Sequence, residues 1–418
     1  MKLPTPIRSS RKRGVILIVF ALGSFVLCGF AGLALDVSYL RMWQRRAQTA
    51  ADAAAIAAAL DLKRSRNSQS ASGAAFVDAA ANGFTHNVDS TVAVENPPLA
   101  GPNQGNSKYV RVSVQRPAST YFMRVFGRDS VTVGAHASSG LSDMGLCVFV
   151  LHPTTNAALH VSGTPDVNVS CGVQVNSTSD SALHVTGGAV INTTGFNVVG
   201  GAHLAPNATI TPVPATGMSA EDDPLAWRSN PPTGAGCDHV NYKVNGGNRN
   251  NPLTVSPGVY CGGIDITTHR RVDFQSGLYV LMGGGLKINS HSQVNGTNVT
   301  FFNTGSANYG KGNISITGQA TVKLRAPRSG PYEAMLIWED RTLAGQSPNH
   351  VEGGSDSDIE GIIYMPKSDL SYAGGSGTNA AYTAVVADTL KFTGHSRFTA
   401  NYTVLAGGSP MVRSVLLQ

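Results

Sequence analysis

Four cysteines are the residues whose spacing most directly indicates covalent chemistry in this sequence. Cys147 and Cys171 lie 24 positions apart (171 − 147), and so do Cys237 and Cys261 (261 − 237). If 24 residues complete one repeat of a stacked β-structure, equivalent residues lie roughly 4.8 Å apart, and a disulfide needs Cα atoms about 4.4–6.8 Å apart. We therefore predict disulfides within both pairs, each adding roughly 3–4 kcal/mol, in an oxidising compartment. Four reduced, buried thiols are the alternative.

Two acidic clusters raise the question of carbohydrate or metal chemistry. Residues 221–223 read Glu-Asp-Asp, and an inverting glycosidase needs paired carboxylates about 6.5–9.5 Å apart. Their place in a Pro-rich stretch instead predicts a solvated loop. Asp356, Asp358 and Glu360 alternate and would share one face of a strand, where calcium accepts such oxygens. EF-hand spacing is lacking there, so we predict no metal site.

Histidines recur at equivalent positions of repeated segments. His160 and His184 lie in ALHVSG and ALHVTG, and His291 and His395 follow two later repeats. The flanking Leu and Val should face inward, which turns His160 and His184 outward. We predict a stacked surface ladder rather than a zinc site, because no Cys or carboxylate is fixed beside them. The sequence carries no P-loop or dinucleotide motif, so we predict no cofactor, no small-molecule substrate and no enzymatic activity.

These residues belong to a region, 141–418, in which short segments repeat. ALHVSG at 158–163 returns 24 residues later as ALHVTG, and IDIT at 264–267 precedes LKIN by 22 residues. LKINSHSQVN returns as LKFTGHSRFT at 390–399. Repeats of this length with short strands are typical of a parallel β-helix, and we predict a right-handed one. The Pro-rich stretch 205–236 is predicted to be a surface loop leaving it.

The beginning of the chain predicts a membrane anchor. Residues 14–35, GVILIVFALGSFVLCGFAGLAL, carry no charge, and as a helix they span roughly 30 Å of hydrocarbon. Five basic residues precede this segment and three follow it, so the positive-inside rule places residues 1–13 in the cytoplasm. The same bracketing accounts for most of the net charge of +6, and we predict no nucleic-acid partner. A cleaved secretory signal is the alternative.

Small residues mark one face of the anchor. Ser24, Cys28 and Gly32 lie four residues apart, and this spacing lets a second helix approach closely. The helical pattern continues through the alanine-rich stretch 47–60. Alanine is the best helix former but buries little area, so we expect this stretch to lie close to another helix or sheet.

Alternating apolar residues follow the alanine-rich stretch. They predict strands near 90–95, 109–115 and 130–136, with a second helix at 70–82 and a short helix at 118–127. A long helix packed on a small antiparallel sheet is a pilin-like plan. We therefore expect residues 36–140 to form a small α+β module, in a protein that is mainly β.

A resemblance to a known family strengthens this interpretation. The stretch from Arg11 to Leu60 resembles the N-terminal region of Flp/Tad pilus-assembly proteins of the TadE/TadG-like family, through its basic start, Gly14, Asp36 and QTAADAAAIAAA. YFMRVFGRDSVTVGAHA at 121–137 is similar as well. Pilins of this type carry Glu five residues after the processed glycine, and Val19 stands there, so we do not expect a major pilin. DVSYL also lacks the metal motif of relatives with a von Willebrand A domain.

The resemblance implies a structural or assembly component of the Tad (tight adherence) pilus apparatus. Such a protein would cross the bacterial inner membrane once, with most of the chain in the periplasm. Its partners would be the lipid bilayer and other Tad or pilin-like proteins. Two alternatives remain open: an anchored β-helix that binds or degrades an extracellular polysaccharide, and an adhesin exposed on the outer surface.

Overall fold

The computed structural model describes residues 12–65, 67–234, 236–248, 250–267, 269–289, 291–346, 348–352, 357–373 and 380–417. The chain divides into two compact units, with boundaries after Ser142 and after Val412. The smaller unit contains the N-terminal part and the residues that follow Val412. The larger unit contains the chain between the two boundaries.

The smaller unit combines two helices with a four-stranded sheet. Helix α1 is Lys12–Ser65 and helix α2 is Ser68–Ala81. The side chain of Asn67 caps α2 by accepting the Gln69 N–H at 2.8 Å. The strands are β1 Thr91–Glu95, β2 Tyr109–Ser119, β3 Ser130–Asp143 and β28 Val412–Leu417, in the order β1-β2-β3-β28, and a 3-10 helix, Met123–Phe126, separates β2 from β3. The predicted small α+β region is confirmed.

Alanines and valines form the core of the smaller unit. The fully buried side chains that α1 contributes there are all alanines, so α2 and the sheet can approach it closely, and the larger Trp43 and Leu62 pack at the edge of the core. The fully buried alanines on the two helices are Ala47, Ala50, Ala51, Ala54, Ala55, Ala58, Ala59, Ala71, Ala75 and Ala79. Alternate residues of β2, namely Val110, Val112 and Val114, complete this core.

The larger unit is built on parallel strand pairs. Its strands are β4 Leu146–Val150, β5 Leu159–Val161, β6 Asp166–Val169, β7 Gly172–Val175, β8 Leu183–Val185, β9 Val190–Asn192, β10 Gly195–Val198, β11 Ala202–Leu204, β12 Thr209–Thr211, β13 His239–Lys243, β14 Leu253–Val255, β15 Gly258–Ile266, β16 Arg271–Phe274, β17 Gly277–Met282, β18 Leu286–Ile288, β19 Gln293–Thr297, β20 Val299–Thr304, β21 Ile314–Ile316, β22 Thr321–Arg325, β23 Met335–Glu339, β24 His350–Glu352, β25 Asp358–Ala373, β26 Tyr382–Phe392 and β27 Ser396–Ala400. Most strands pair in parallel with the third strand before and after them, as in β4–β7–β10. We call three successive strands that pair with the next three, such as β4, β5 and β6, a layer.

The repeats predicted from the sequence are the partners in neighbouring layers. Leu159 pairs with Leu183, which is the 24-residue step, and Ile264 pairs with Leu286, which is the 22-residue step. Leu286 pairs in turn with Ile314, so a longer layer of 28 residues (314 − 286) is also accommodated. The repeat assignment is confirmed at these positions.

The order of the layers differs from the order of the chain. The last layer, β26 and β27, lies beside the first: Val385 pairs with Val148, and Leu390 with Leu159. We call the contact between the first and last layers the junction. The strands up to β12 extend from the junction in one direction. After residues 212–238 the chain resumes with β13 at the opposite end of the stack, and its later layers return to the junction.

The Pro-rich connection between β12 and β13 packs against both groups of layers. Asn176 bonds to the main chain of Glu221 at 2.7 and 3.1 Å, and Tyr364 donates to Asp223 at 2.6 Å. Leu225 is fully buried. The prediction that this segment leaves the domain as a solvated loop does not hold for Glu221 and Asp223, which bind side chains of distant layers, whereas Asp222 is exposed.

Candidate membrane-anchor site

Residues 17–35 of α1 present a continuous apolar surface. By length and composition, the part of this helix from Leu17 to Lys63 contains a segment apolar enough to cross a membrane. Large side chains that are more than half exposed occur all around its first turns, including Phe20, Phe25 and Phe30. A helix that is apolar on all sides is expected in hydrocarbon rather than in water.

Asp36, directly after the uncharged segment, binds a distant loop. Its carboxylate accepts three backbone N–H groups, from Tyr121 at 3.0 Å, Phe122 at 2.8 Å and Met123 at 2.7 Å. The side chain is 1% exposed. Burial raises the pKa of this carboxyl, but the three backbone donors lower it by more, so the pKa lies below its usual value. Asp36 is therefore an anionic clamp that fixes residues 121–123 against α1.

Gly32, one helical turn before Asp36, receives the ring of Phe122. A Cβ atom at position 32 would overlap that ring, with Cε1 of Phe122 only 2.9 Å away. Of the three residues predicted to pack against a second helix, Gly32 thus contacts its own chain. Ser24 is half-buried and Cys28 is exposed with a free thiol, and their packing against another helix stays a prediction.

Aromatic and basic side chains surround α1 just beyond Asp36. Tyr39 contacts Tyr121 edge to face at 5.7 Å between ring centroids, and it contacts Trp43 at 6.3 Å. The guanidinium of Arg116 lies 4.3 Å from the Trp43 ring centroid, and that of Arg46 lies 5.3 Å away. Such amphipathic rings and arginines are enriched at the boundary between membrane and water.

The alanine-rich stretch of α1 is used inside its own unit. Nearly all of its buried alanines face α2 or the sheet, and Gln48 donates to the carbonyl oxygen of His136 on β3 at 3.3 Å. The prediction that this stretch approaches a helix or sheet is confirmed, but the partner is intramolecular. The buried face of the alanine-rich stretch is therefore occupied within its own unit.

Both predicted disulfides are present in the larger unit. The Cα atoms of Cys147 and Cys171 are 5.8 Å apart, and those of Cys237 and Cys261 are 5.6 Å apart. The first joins neighbouring layers near the junction. The second fixes the chain just before β13, whose layer has a neighbour on one side only.

His160 and His184 lie side by side in neighbouring strands, as predicted, and His203 joins them, whereas His291 and His395 have other partners. The ring centroids of His160 and His184 are 5.5 Å apart, and those of His184 and His203 are 5.0 Å apart. Lys391 in the neighbouring strand β26 lies opposite His160. His291 stacks instead on His269, and His395 accepts the N–H of Asp166. Among the described residues, no three His, Cys, Asp or Glu side chains form a metal-binding group.

Three carboxylates of the acidic clusters bind side chains of the protein itself. Asp358 pairs with Arg325 at 3.0 Å, and Glu360, fully buried, pairs with Arg328 at 2.8 Å. Asp356 lies outside the described residues. Asp223 accepts from Tyr364, and Arg341 lies 5.4 Å from that ring. These carboxylates stabilise contacts between layers and the connection that crosses them.

Sequence reasoning singled out Asp36 but missed its partner loop. Its ligands are main-chain N–H groups some 85 positions away, and backbone donors carry no signature in the sequence. The available signal was the unusual apolar run YFMRVF between two strands, in which Val125 is 82% and Phe126 is 74% exposed.

These features define a class of protein: a long apolar helix that continues into a small α+β unit, followed by a disulfide-bonded β domain. Residues 14–61 match the Tad family, described as Flp pilus-assembly TadE/G-like. The matched stretch covers the apolar segment, Asp36 and the alanine-rich stretch. No curated protein and no solved structure matches the chain.

Proposed function

We propose that the protein is a single-pass, inner-membrane component of the Tad pilus apparatus with a structural or assembly role. The carrying observation is the coincidence of the Tad-like region, residues 14–61, with an exposed apolar helix and its Asp36 clamp. Residues 1–13 would face the cytoplasm. The two disulfides support a periplasmic location for the larger unit, because such bonds persist in oxidising compartments.

We further propose that the larger unit is a right-handed parallel β-helix. The parallel pairing of every third strand and the in-register repeats support this winding. Closed layers with inward-facing valines and isoleucines would give a rigid support for contacts with proteins or the envelope.

A non-enzymatic role is part of the proposal. Of the carboxylates considered for a polysaccharide-cleaving site, Asp223, Asp358 and Glu360 bind Tyr364, Arg325 and Arg328, respectively. Purified protein is expected to leave uronate polymers intact. Release of unsaturated or shortened oligosaccharides would instead favour the polysaccharide alternative.

Site-specific photocrosslinking in cells tests the assembly role. A photoreactive residue at Phe25, which is 80% exposed on the apolar helix, is expected to capture other Tad components. The control position is Val77, which is 68% exposed on α2. Loss of pili on deletion of the gene, restored by the full chain, is the second expected result. Equal capture at both positions together with normal piliation would overturn the proposal.

A further inference from the structure

The smaller unit carries an apolar patch that its own fold does not cover. The patch belongs to residues 121–128, which we call the aromatic loop. Tyr121 is 65%, Val125 82% and Phe126 74% exposed. Soluble surfaces rarely expose such residues side by side, and contiguous apolar patches usually mark an interaction site.

The level of this loop along α1 is fixed by two contacts. Asp36 binds the loop's backbone, and Gly32 receives the ring of Phe122. Gly32 lies three residues before the end of the uncharged segment, which is about 4.5 Å along a helix axis. The loop is therefore held beside the last turn of the apolar helix rather than above it.

Most backbone N–H groups of the aromatic loop are hydrogen-bonded within the protein, as an environment with little water requires. The N–H groups of Tyr121, Phe122 and Met123 donate to Asp36. Those of Val125, Gly127 and Arg128 donate to carbonyl oxygens of Phe122, Arg124 and Met123. Unsatisfied backbone groups are what normally exclude irregular segments from lipid, and here six donors of the loop are satisfied.

From these observations we propose that the aromatic loop inserts Val125 and Phe126 into the outer-leaflet interface of the membrane that α1 crosses. The inference rests on the proposed membrane anchor and adds a second contact with the bilayer. The lipid surface is the favoured occupant because the patch is continuous with the apolar helix. Tyr39, Tyr121 and Trp43 form an aromatic group around it. Arg128 is exposed for lipid headgroups, and Arg124, also exposed, pairs with Asp129 at 3.1 Å.

The second contact would fix the orientation of the smaller unit on the membrane. A single helix leaves a domain free to rotate about the helix axis and to tilt. A loop inserted beside the helix removes part of that freedom, so that the same face of α2 and the sheet would always be turned away from the lipid.

Depth-dependent fluorescence quenching tests the inference on the full chain. A polarity-sensitive fluorophore is attached to Val125→Cys in a Cys28→Ser background, and the protein is reconstituted into phosphatidylcholine–phosphatidylglycerol vesicles. Nitroxide-labelled lipids quench the probe from a shallow or a deep position. The matched control is Val88→Cys, because Val88 is 80% exposed in the same unit and lies outside the aromatic loop. We expect a blue-shifted probe at position 125 that shallow nitroxides quench, and neither effect at position 88.

A probe on the native Cys28 separates the two proposals. If deep nitroxides do not quench it, the membrane anchor itself is wrong. If they quench it but positions 125 and 88 behave alike, the anchor stands and the loop inference is overturned. A blue shift at 125 that nitroxides leave unquenched would indicate a protein occupant, such as a second copy of the chain, and would also overturn it. In intact spheroplasts, a membrane-impermeant thiol reagent should modify Val125→Cys more slowly than Val88→Cys.

Discussion

Leu159 and Leu390 lie side by side in parallel strands, although 231 positions separate them (390 − 159). Both side chains are 1% exposed. They belong to the junction where the last layer of the larger unit meets the first. The strands before the Pro-rich connection and those after it therefore join into one stack at this junction.

Shortening a core side chain at the junction should destabilise the larger unit. Leu390→Ala removes apolar atoms from a closed core and is expected to lower the free energy of unfolding by roughly 2–5 kcal/mol. Denaturant unfolding of the full chain in detergent measures this loss of stability. Hydrogen exchange of the folded protein shows which strands are affected. Strands on both sides of the junction, such as β5 and β26, should lose protection together. Leu204→Ala is the control, because Leu204 is 38% exposed in β11, and a similar loss there would contradict the prediction.

Loss of each disulfide should destabilise a different part of the larger unit. The bridge Cys237–Cys261 holds the end layer, β13 and β14, which has one neighbour only, whereas Cys147–Cys171 lies between stacked layers. Replacing Cys237 and Cys261 by serine is expected to cost roughly 3–4 kcal/mol by the loop-entropy model, concentrated in residues 239–255. Hydrogen exchange of these strands is the measurement. Faster exchange spread evenly over all layers would show that the bridge does not act locally.

Asp36→Asn should loosen the aromatic loop. The amide keeps the shape of the side chain but loses the charge that binds three N–H groups, so the amides of residues 121–123 are expected to exchange roughly tenfold faster. The pKa of Asp36 is lowered in the folded state, so its contribution is present above the ordinary carboxyl pKa and is lost as the pH falls through the folded value. The wild-type loop should therefore loosen in acid, and the Asn variant should show no such acid step.

Two parts of the structure could be predicted from the sequence for a clear reason. The parallel repeats and both disulfides depend on residues one repeat apart, and the period alone places such residues next to each other. The apolar helix and the small α+β region follow from uncharged length, alanine content and alternation, which are local patterns.

The rest depends on contacts that no local pattern encodes. A repeat period does not say which two layers meet, so the pairing of Val148 with Val385 could not be inferred. The clamp on Asp36 uses main-chain donors, which every residue except proline possesses. His203 continues the histidine ladder, but it could not be predicted from the repeat because its segment, AHL, lacks the full ALHV pattern.

A buried ion pair should stabilise the later layers. Nζ of Lys311 lies 2.8 Å from Oε1 of Glu339, and both side chains are 2% exposed. The backbone N–H of Lys367 and the hydroxyl of Ser368 also donate to Glu339. Lys311→Met leaves this carboxylate without its cation and is expected to cost roughly 3–5 kcal/mol.

The matching double variant tests the coupling between the two charges. Lys311→Met combined with Glu339→Gln should be less destabilised than the sum of the single variants. Denaturant unfolding of the wild type, the two single variants and the double variant gives the coupling free energy. Strict additivity would mean that the two side chains contribute independently.

The histidine ladder should make the larger unit sensitive to mild acid. Burial lowers the pKa of His160, and Lys391 and His184 beside it lower the pKa further. Because the folded pKa lies below the unfolded one, the unfolded chain binds the proton first. Stability is therefore full above the ordinary histidine pKa of about 6.5 and declines as the pH falls through the folded value. His160→Gln should flatten this decline, and Lys391→Met should make it smaller, because removing one cause of the lowered pKa brings the folded pKa closer to the unfolded one. Thermal unfolding midpoints of the full chain across this pH range measure both effects, and an unchanged acid profile in His160→Gln would assign the sensitivity to other groups.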